Sequence, residues 1–197
     1  MREAVIESHA PLLQFNGERL LDDIYEARKQ RKAARLANSG VTGEYVVFFS
    51  YAQMDSAAET TLFYNEAIQR LPKEKVFHDN NAMFKLNDLI TKVKQSKNVI
   101  VLLSANYCKR PYTLVELHAA LQSGVNVIPV IIEKPDTPSF QFKEVNEDIL
   151  SRKIQYYLSV DGWNLLKDFE ITIDNVIHNL QFVMNVRAIS SWWMRPS

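Results

Sequence analysis

The sequence predicts a three-layer α/β/α fold around a central, mostly parallel five-stranded sheet, with a helical arm at the N-terminus. Two observations predict it. Short runs of continuously apolar, β-branched and aromatic residues recur along the chain, as strands buried on both faces of a parallel sheet require. Between them lie longer segments whose apolar residues repeat with helical spacing, which implies right-handed β-α-β crossovers.

The first apolar run is Tyr45 to Ser50, YVVFFS. Asn98 to Ser104 (NVIVLLS) and Val125 to Ile132 (VNVIPVII) repeat its grammar, and Lys75 to His78 (KVFH) is a shorter version. Pro129 has no N–H to give a ladder, so the Val125 run is a strand only if that nitrogen faces an edge or a bulge. Tyr156 to Val160 is read as the fifth strand. Of the helices, Ser56 to Leu71 opens on Ser56-Ala57-Ala58-Glu59, the spacing of a capping box. Leu86, Leu89, Ile90 and Val93 form one apolar stripe, and Leu114, Leu117 and Leu121 form another that ends at Gly124. Glu133 to Arg152, with Pro135 and Pro138, reads as a surface connection with room for one short helix. Leu166, Phe169, Ile173, Val176, Ile177, Leu180 and Val183 predict one long final helix.

Residues 1–43 differ in character and are expected to form a helical arm and linker, leaving 44–197 as the domain with its C-terminal helix and tail. Gly17 to Ala37 is rich in helix formers, and Ser39-Gly40 and Thr42-Gly43 punctuate the chain before the first strand. The basic cluster Arg28, Lys29, Arg31, Lys32 and Arg35 suits the C-terminal end of a solvated helix, the alternative being a contact with an anionic surface or a self-association face. Trp192 and Trp193 in the tail dock either on the fold or on a partner.

Composition narrows the function classes. In 197 residues, 47% of them apolar, 23 basic side chains balance 23 acidic ones, so no net field draws the chain to nucleic acid. One cysteine, Cys108, excludes an internal disulfide and a cysteine-built zinc site and fits a reducing, cytoplasmic setting. No run approaches the roughly 18 to 20 apolar residues that span a bilayer. His9, His78, His118 and His178 are scattered, without metal-ligand spacing. His118 sits among core-facing positions and reads as structural.

In a doubly wound sheet ligands collect outside the carboxyl ends of the strands, which nominates the loops Ser50 to Asp55, Asp79 to Phe84 and Ser104 to Thr113. None carries a Walker or GxGxxG fingerprint, and neither Ser50 nor Ser104 sits in a GxSxG elbow. In the third loop, helical spacing puts Tyr112 and Glu116 on the side away from the Leu114 stripe, facing the crevice. Thr113 to Glu116 also has capping-box spacing, so Glu116 either caps a helix or serves the crevice.

The order of particular strings resembles a TIR (Toll/interleukin-1 receptor) domain over about 140 residues. They are VVFFSYAQMDSA (46–57), VFHDN (76–80), the helix LNDLITKVKQSK (86–97), VIVLLSANYC (99–108), YTLVELHAAL (112–121) and VNVIPVII (125–132). The Ser104-x-x-Tyr107 turn followed by Tyr112 and Glu116-Leu117 is the most particular. The resemblance implies a flavodoxin-like fold and one of two roles. One is a scaffold for homotypic TIR contacts. The other is an assembled enzyme that cleaves the nicotinamide–ribose bond of NAD+, giving ADP-ribose or a cyclic or conjugated form, in immune or cell-death signalling. For the enzyme it makes Glu116 the essential carboxylate and Tyr112, where Trp is more usual, the stacking aromatic. It extends the substrate-binding set to Ser50, Tyr51, Gln53, Phe84, Lys109 and Arg110, with the pyrophosphate on backbone amides or on the two basic residues. NAD+ is then substrate, with no cofactor and no metal, and the partners are further TIR domains or copies of this chain. Two departures stand out: Asp79 to Lys85 lacks the Pro-Gly usual in the assembly loop, and Ala52 and Gln53 stand where some enzymatic members have arginine. A nucleoside deoxyribosyltransferase, a related design with a glutamate on a ribosyl carbon, is a further reading that the first-strand box fits less well. A receiver domain is set aside because FFSY lacks its acidic pair.

Overall fold

The computed structural model describes residues 13–14, 44–79, 85–134, 138–186 and 189–190. In chain order these form β1 (Leu13–Gln14), β2 (Tyr45–Tyr51), α1 (Gln53–Arg70), β3 (Val76–His78), α2 (Leu86–Lys94), β4 (Ser96–Leu103), α3 (Pro111–Gln122), β5 (Asn126–Ile131), α4 (Phe142–Leu150), α5 (Val160–Asp168), α6 (Ile173–Asn185) and β6 (Ile189–Ser190). All pairings within the sheet are parallel, in the order β1-β6-β5-β4-β2-β3. Four strands carry it, because β1 and β6 contribute two residues each. Most of the predicted arm, together with Phe84, Trp192 and Trp193, lies outside the described residues.

The continuously apolar runs are explained by what covers each face. Val47, Phe49, Ile100, Leu102, Ile128 and Val130 point to a layer that includes Phe63 and Ala67 of α1. Their neighbours Phe48, Val99, Val101, Leu103 and Val127 point the other way, to a core shared with α2, α3, α4, α5 and α6. Period-two alternation therefore sends an apolar side chain into each layer. Each fully buried Phe or Leu contributes about 1.5–3 kcal/mol. Pro129 pairs with Val101 of β4, and among the described residues β6 meets β5 at Val130 and Ile131. Gly124 adopts φ +66° just after α3, a left-handed conformation that favours glycine.

Three expectations need correction. Tyr156 to Val160 is not a strand. Lys153–Tyr156 is a 3₁₀ turn, and Ser159 caps α5 by accepting a hydrogen bond from the Gly162 N–H at 3.2 Å. Only Ile154 and Leu158 of this stretch are buried, four apart, which is a helical and not an extended spacing. The single long final helix is instead two, α5 and α6. Glu170 is left-handed between them at φ 59°, and Thr172 and Asn175 form a reciprocal capping box that starts α6 afresh. Finally, α1 starts three residues earlier than expected and kinks at Ser56, whose hydroxyl donates back to the Ala52 carbonyl. Glu59 is then free of a capping role and pairs with Lys134 at 3.0 Å.

Candidate functional site

Chain order reverses at β2, which has β3 on one side and β4 on the other. The crossovers that leave β2 through α1 and the adjacent β4 through α3 therefore run to opposite sides, and a crevice opens beyond the carboxyl ends of these strands. A cleft of about 470 Å³ occupies this position. Phe49, Tyr51, Gln53 and Met54 line it from the end of β2 and the start of α1, Asp79 from the end of β3, and Leu89 from α2. Arg110, Pro111, Tyr112, Thr113 and Glu116 close it from the start of α3.

The start of α3 decides how Glu116 is presented. Pro111 occupies the first turn, where its missing N–H costs nothing and its fixed φ suits a helix. Thr113 is consequently inside the helix and not before it. Its hydroxyl donates towards the carbonyls of Tyr107 (2.6 Å) and Arg110 (2.8 Å), so the capping box expected over Thr113 to Glu116 does not form. Glu116 is left to the crevice. It is 7% exposed, and its Oε2 accepts a 2.6 Å hydrogen bond from the Ser50 hydroxyl. Burial pushes its carboxyl up to about 8; the Ser50 bond opposes this and the Asp79 charge adds to it.

Tyr51 spans the crevice floor, its hydroxyl donating to the Asp79 backbone carbonyl. Burial, then the charges of Asp79 and Glu116, push its phenol up to about 12, so it remains a neutral donor. Tyr112 is 49% exposed and offers a ring at the cleft wall. Of the residues singled out in the sequence, Tyr51, Gln53, Arg110, Tyr112 and Glu116 thus share one cleft, with Ser50 buried behind Glu116. Lys109 does not join them: its ammonium stands over the Tyr157 ring, 5.8 Å from the centroid. Among the described residues no group of three or more His, Cys, Asp or Glu is disposed to hold a metal, and no helix is long and apolar enough to cross a membrane. His118 is engaged by Asn179 at 3.0 Å, and burial lowers its pKa despite that bond.

Sequence reasoning missed Asp79 and Tyr107. A signal existed for each: Asp79 directly follows a short strand at its carboxyl end, and Tyr107 closes the distinctive Ser104-x-x-Tyr107 turn. That turn is pinned from α1. Asp55 accepts from the Ser104 hydroxyl (2.9 Å), the Asn106 N–H (2.9 Å) and the Asn106 side-chain amide (3.3 Å). Burial works against its charge, but Asn106, Ser104 and the Arg110 charge together outweigh that and hold the carboxyl below its usual range. Asp55→Ala removes all three of these hydrogen bonds and is expected to lower stability by about 2–3 kcal/mol, measured by urea unfolding at neutral pH. A change below about 0.5 kcal/mol, the level of an ordinary surface substitution, would show that the pin is idle.

A doubly wound α/β domain with a carboxylate crevice at its switch point is the class that fold and site define. The TIR-domain profile matches residues 47–164, more than half of the chain, and the chain belongs to the TIR-domain family. Among solved structures, it is similar to the TIR domains of the activated Roq1 resistosome, an assembly described as directly recognising the pathogen effector XopQ. The TM-score is 0.53 at 17% identity, over 76% of this chain and 89% of that one, a likeness of fold. No curated protein matches the chain.

Proposed function

We propose that this TIR domain is an NAD+ nucleosidase of immune or cell-death signalling, acting in the cytoplasm, with Glu116 as the essential carboxylate. The observation that supports this most is the placement of Glu116: a buried acid held by one hydrogen bond, on the wall of a cleft that also presents an open tyrosine ring and an arginine. Nicotinamide leaves the ribose as a neutral base from a cationic ring, so the leaving group needs no general acid. The barrier lies in the oxocarbenium-like charge that grows on the ribose. A carboxylate beside it stabilises that charge, most effectively where water is excluded.

Each neighbour has a part in this reading. The Tyr112 face stacks on the nicotinamide or adenine ring, Arg110 meets the pyrophosphate with a fork of donors, and Tyr51 stays neutral as a hydroxyl donor. The cationic pyridinium favours the ionised form of Glu116, so substrate entry itself draws the proton off the acid. The resistosome state of the Roq1 TIR domains supports activation by self-association.

The test is chromatography of NAD+ incubated with concentrated protein, with and without a crowding agent, while light scattering follows particle size. Nicotinamide release by the wild type and not by Glu116→Ala is expected. Assemblies that leave NAD+ intact would sink the enzymatic reading and make the chain a TIR scaffold. Nucleoside base exchange without NAD+ loss would make it a deoxyribosyltransferase.

A further inference from the structure

Behind Glu116, away from the cleft, two hydroxyls are stacked in series. Ser50 is the penultimate residue of β2 and fully buried; its Oγ stands 2.6 Å from Glu116 Oε2 and 2.8 Å from the Tyr107 hydroxyl. Tyr107 is also fully buried, on the 3₁₀ turn Tyr107–Lys109 between β4 and α3. Neither residue is among those that line the cleft. We propose that Tyr107 is a positioning residue for the Glu116 carboxyl: its hydroxyl donates to Ser50, which commits the Ser50 proton to Glu116 and so fixes that carboxyl's orientation and readiness to ionise. The catalytic consequence rests on the nucleosidase reading, while the hydrogen-bond relay does not.

Donor counting supports the direction. A serine hydroxyl has one proton and two lone pairs. With its proton on Glu116 Oε2, Ser50 faces Tyr107 with a lone pair, and the phenol must supply the proton between them. The alternative acceptor for that phenol, the Thr113 carbonyl, is at 3.4 Å and makes the weaker contact. Tyr107 keeps its proton throughout, because burial and then the Glu116 charge hold its pKa well above the ordinary value. A hydroxyl that accepts one hydrogen bond is a better donor of the next, so Tyr107 strengthens the bond that stabilises the Glu116 anion.

The relay has a rigid seat. The Tyr107 N–H donates to the Ser104 carbonyl at 3.1 Å, and Asp55 clamps Ser104 and Asn106 from α1. The other ionisable groups that line the cleft with Glu116 are Tyr51 on β2, Asp79 after β3, and Arg110 and Tyr112 at the start of α3, while α1 and α2 contribute Gln53, Met54 and Leu89. Cys108 beside Tyr107 is buried with its thiol pushed up to about 12, so it stays neutral. Asp79 and Tyr51 act from the cleft side, where substrate displaces water. The Ser50–Tyr107 pair reaches Glu116 from the core side, where its effect persists in the empty and the occupied site alike.

The test is a carbon-13 NMR titration of the Glu116 carboxyl in the substrate-free protein, assigned by its loss in Glu116→Gln. Ser50→Ala is expected to move the midpoint up by about one pH unit, the worth of one hydrogen bond to a charge. Tyr107→Phe, which keeps the ring, should move it up by about half a unit. In a Ser50→Ala background Tyr107→Phe should add nothing, because its influence passes through Ser50. In the nicotinamide-release assay Tyr107→Phe should lower kcat at neutral pH, leave KM unchanged, and recover at higher pH. An unshifted midpoint in Tyr107→Phe, or an additive shift in the double variant, overturns the proposal. If Tyr107→Phe does not fold, an unshifted midpoint in Ser50→Ala overturns it equally. A protein inert towards NAD+ but showing the shifts would keep the relay and lose the nucleosidase.

Discussion

Glu116→Gln is expected to reduce nicotinamide release by about 10²–10³-fold, the usual cost of removing a preorganised electrostatic contact to a transition state. Glutamine is nearly isosteric, and its amide oxygen can still accept from the Ser50 hydroxyl. What disappears is the negative charge opposite the developing oxocarbenium. Binding should survive better than turnover, because the contacts proposed for the ground state belong to Tyr112 and Arg110. The loss should therefore appear in kcat with KM changed only a few-fold, the pattern of an interaction made mainly in the transition state. Light scattering should report unchanged assembly, since Glu116 faces the crevice and is nearly covered. A variant that retains more than about one tenth of the wild-type rate would remove Glu116 from the mechanism.

The elements that present Glu116 were legible in the sequence to different depths, for physical reasons. The strands at Tyr45, Asn98 and Val125 could be read because both faces of each are buried, so apolarity runs unbroken; the edge strand after Lys75 buries only Val76 and leaves Phe77 and His78 half-buried, so its run is shorter. Tyr156 to Val160 looked similar, but there Tyr156 is 77% exposed and aromatic content misled where burial did not follow. The break between α5 and α6 was written in Thr172-x-x-Asn175, a capping pair whose second member is not the usual acid. At the crevice, spacing alone left Glu116 divided between cap and site. Pro111 rules out the cap, since starting the helix there puts Thr113 inside it and gives its hydroxyl to backbone carbonyls. Ser50–Tyr107 and Asp55–Asn106 join residues more than fifty apart, and no local pattern carries a contact of that range.

The second large effect is on stability, and its sign is opposite to the effect on rate. The Glu116 carboxyl titrates at about 8 in the folded protein against an ordinary 4.5. Between those values the native state keeps a proton that the unfolded chain releases. Wild-type stability therefore loses up to about 1.4 kcal/mol for each pH unit climbed through that window, several kcal/mol in all, and the loss ends above it. Glu116→Gln carries no such titration. Relative to wild type it should gain stability steadily from pH 5 to pH 8, and urea unfolding of both proteins at pH 5, 6.5 and 8 measures the gain. The difference between the two curves is the informative quantity. His78 and His118 have lowered pKa values, so their contribution rises with pH up to about 6.5; Asp55, also lowered, adds stability that is lost only at pH below the ordinary carboxylate range. Those slopes are common to both proteins and cancel. Parallel curves would mean that Glu116 ionises at an ordinary pH and that the crevice does not hold it against its charge. Diverging curves, joined to a lost reaction, would show one side chain whose removal strengthens the fold and silences the site, as expected of an acid retained for chemistry and not for packing.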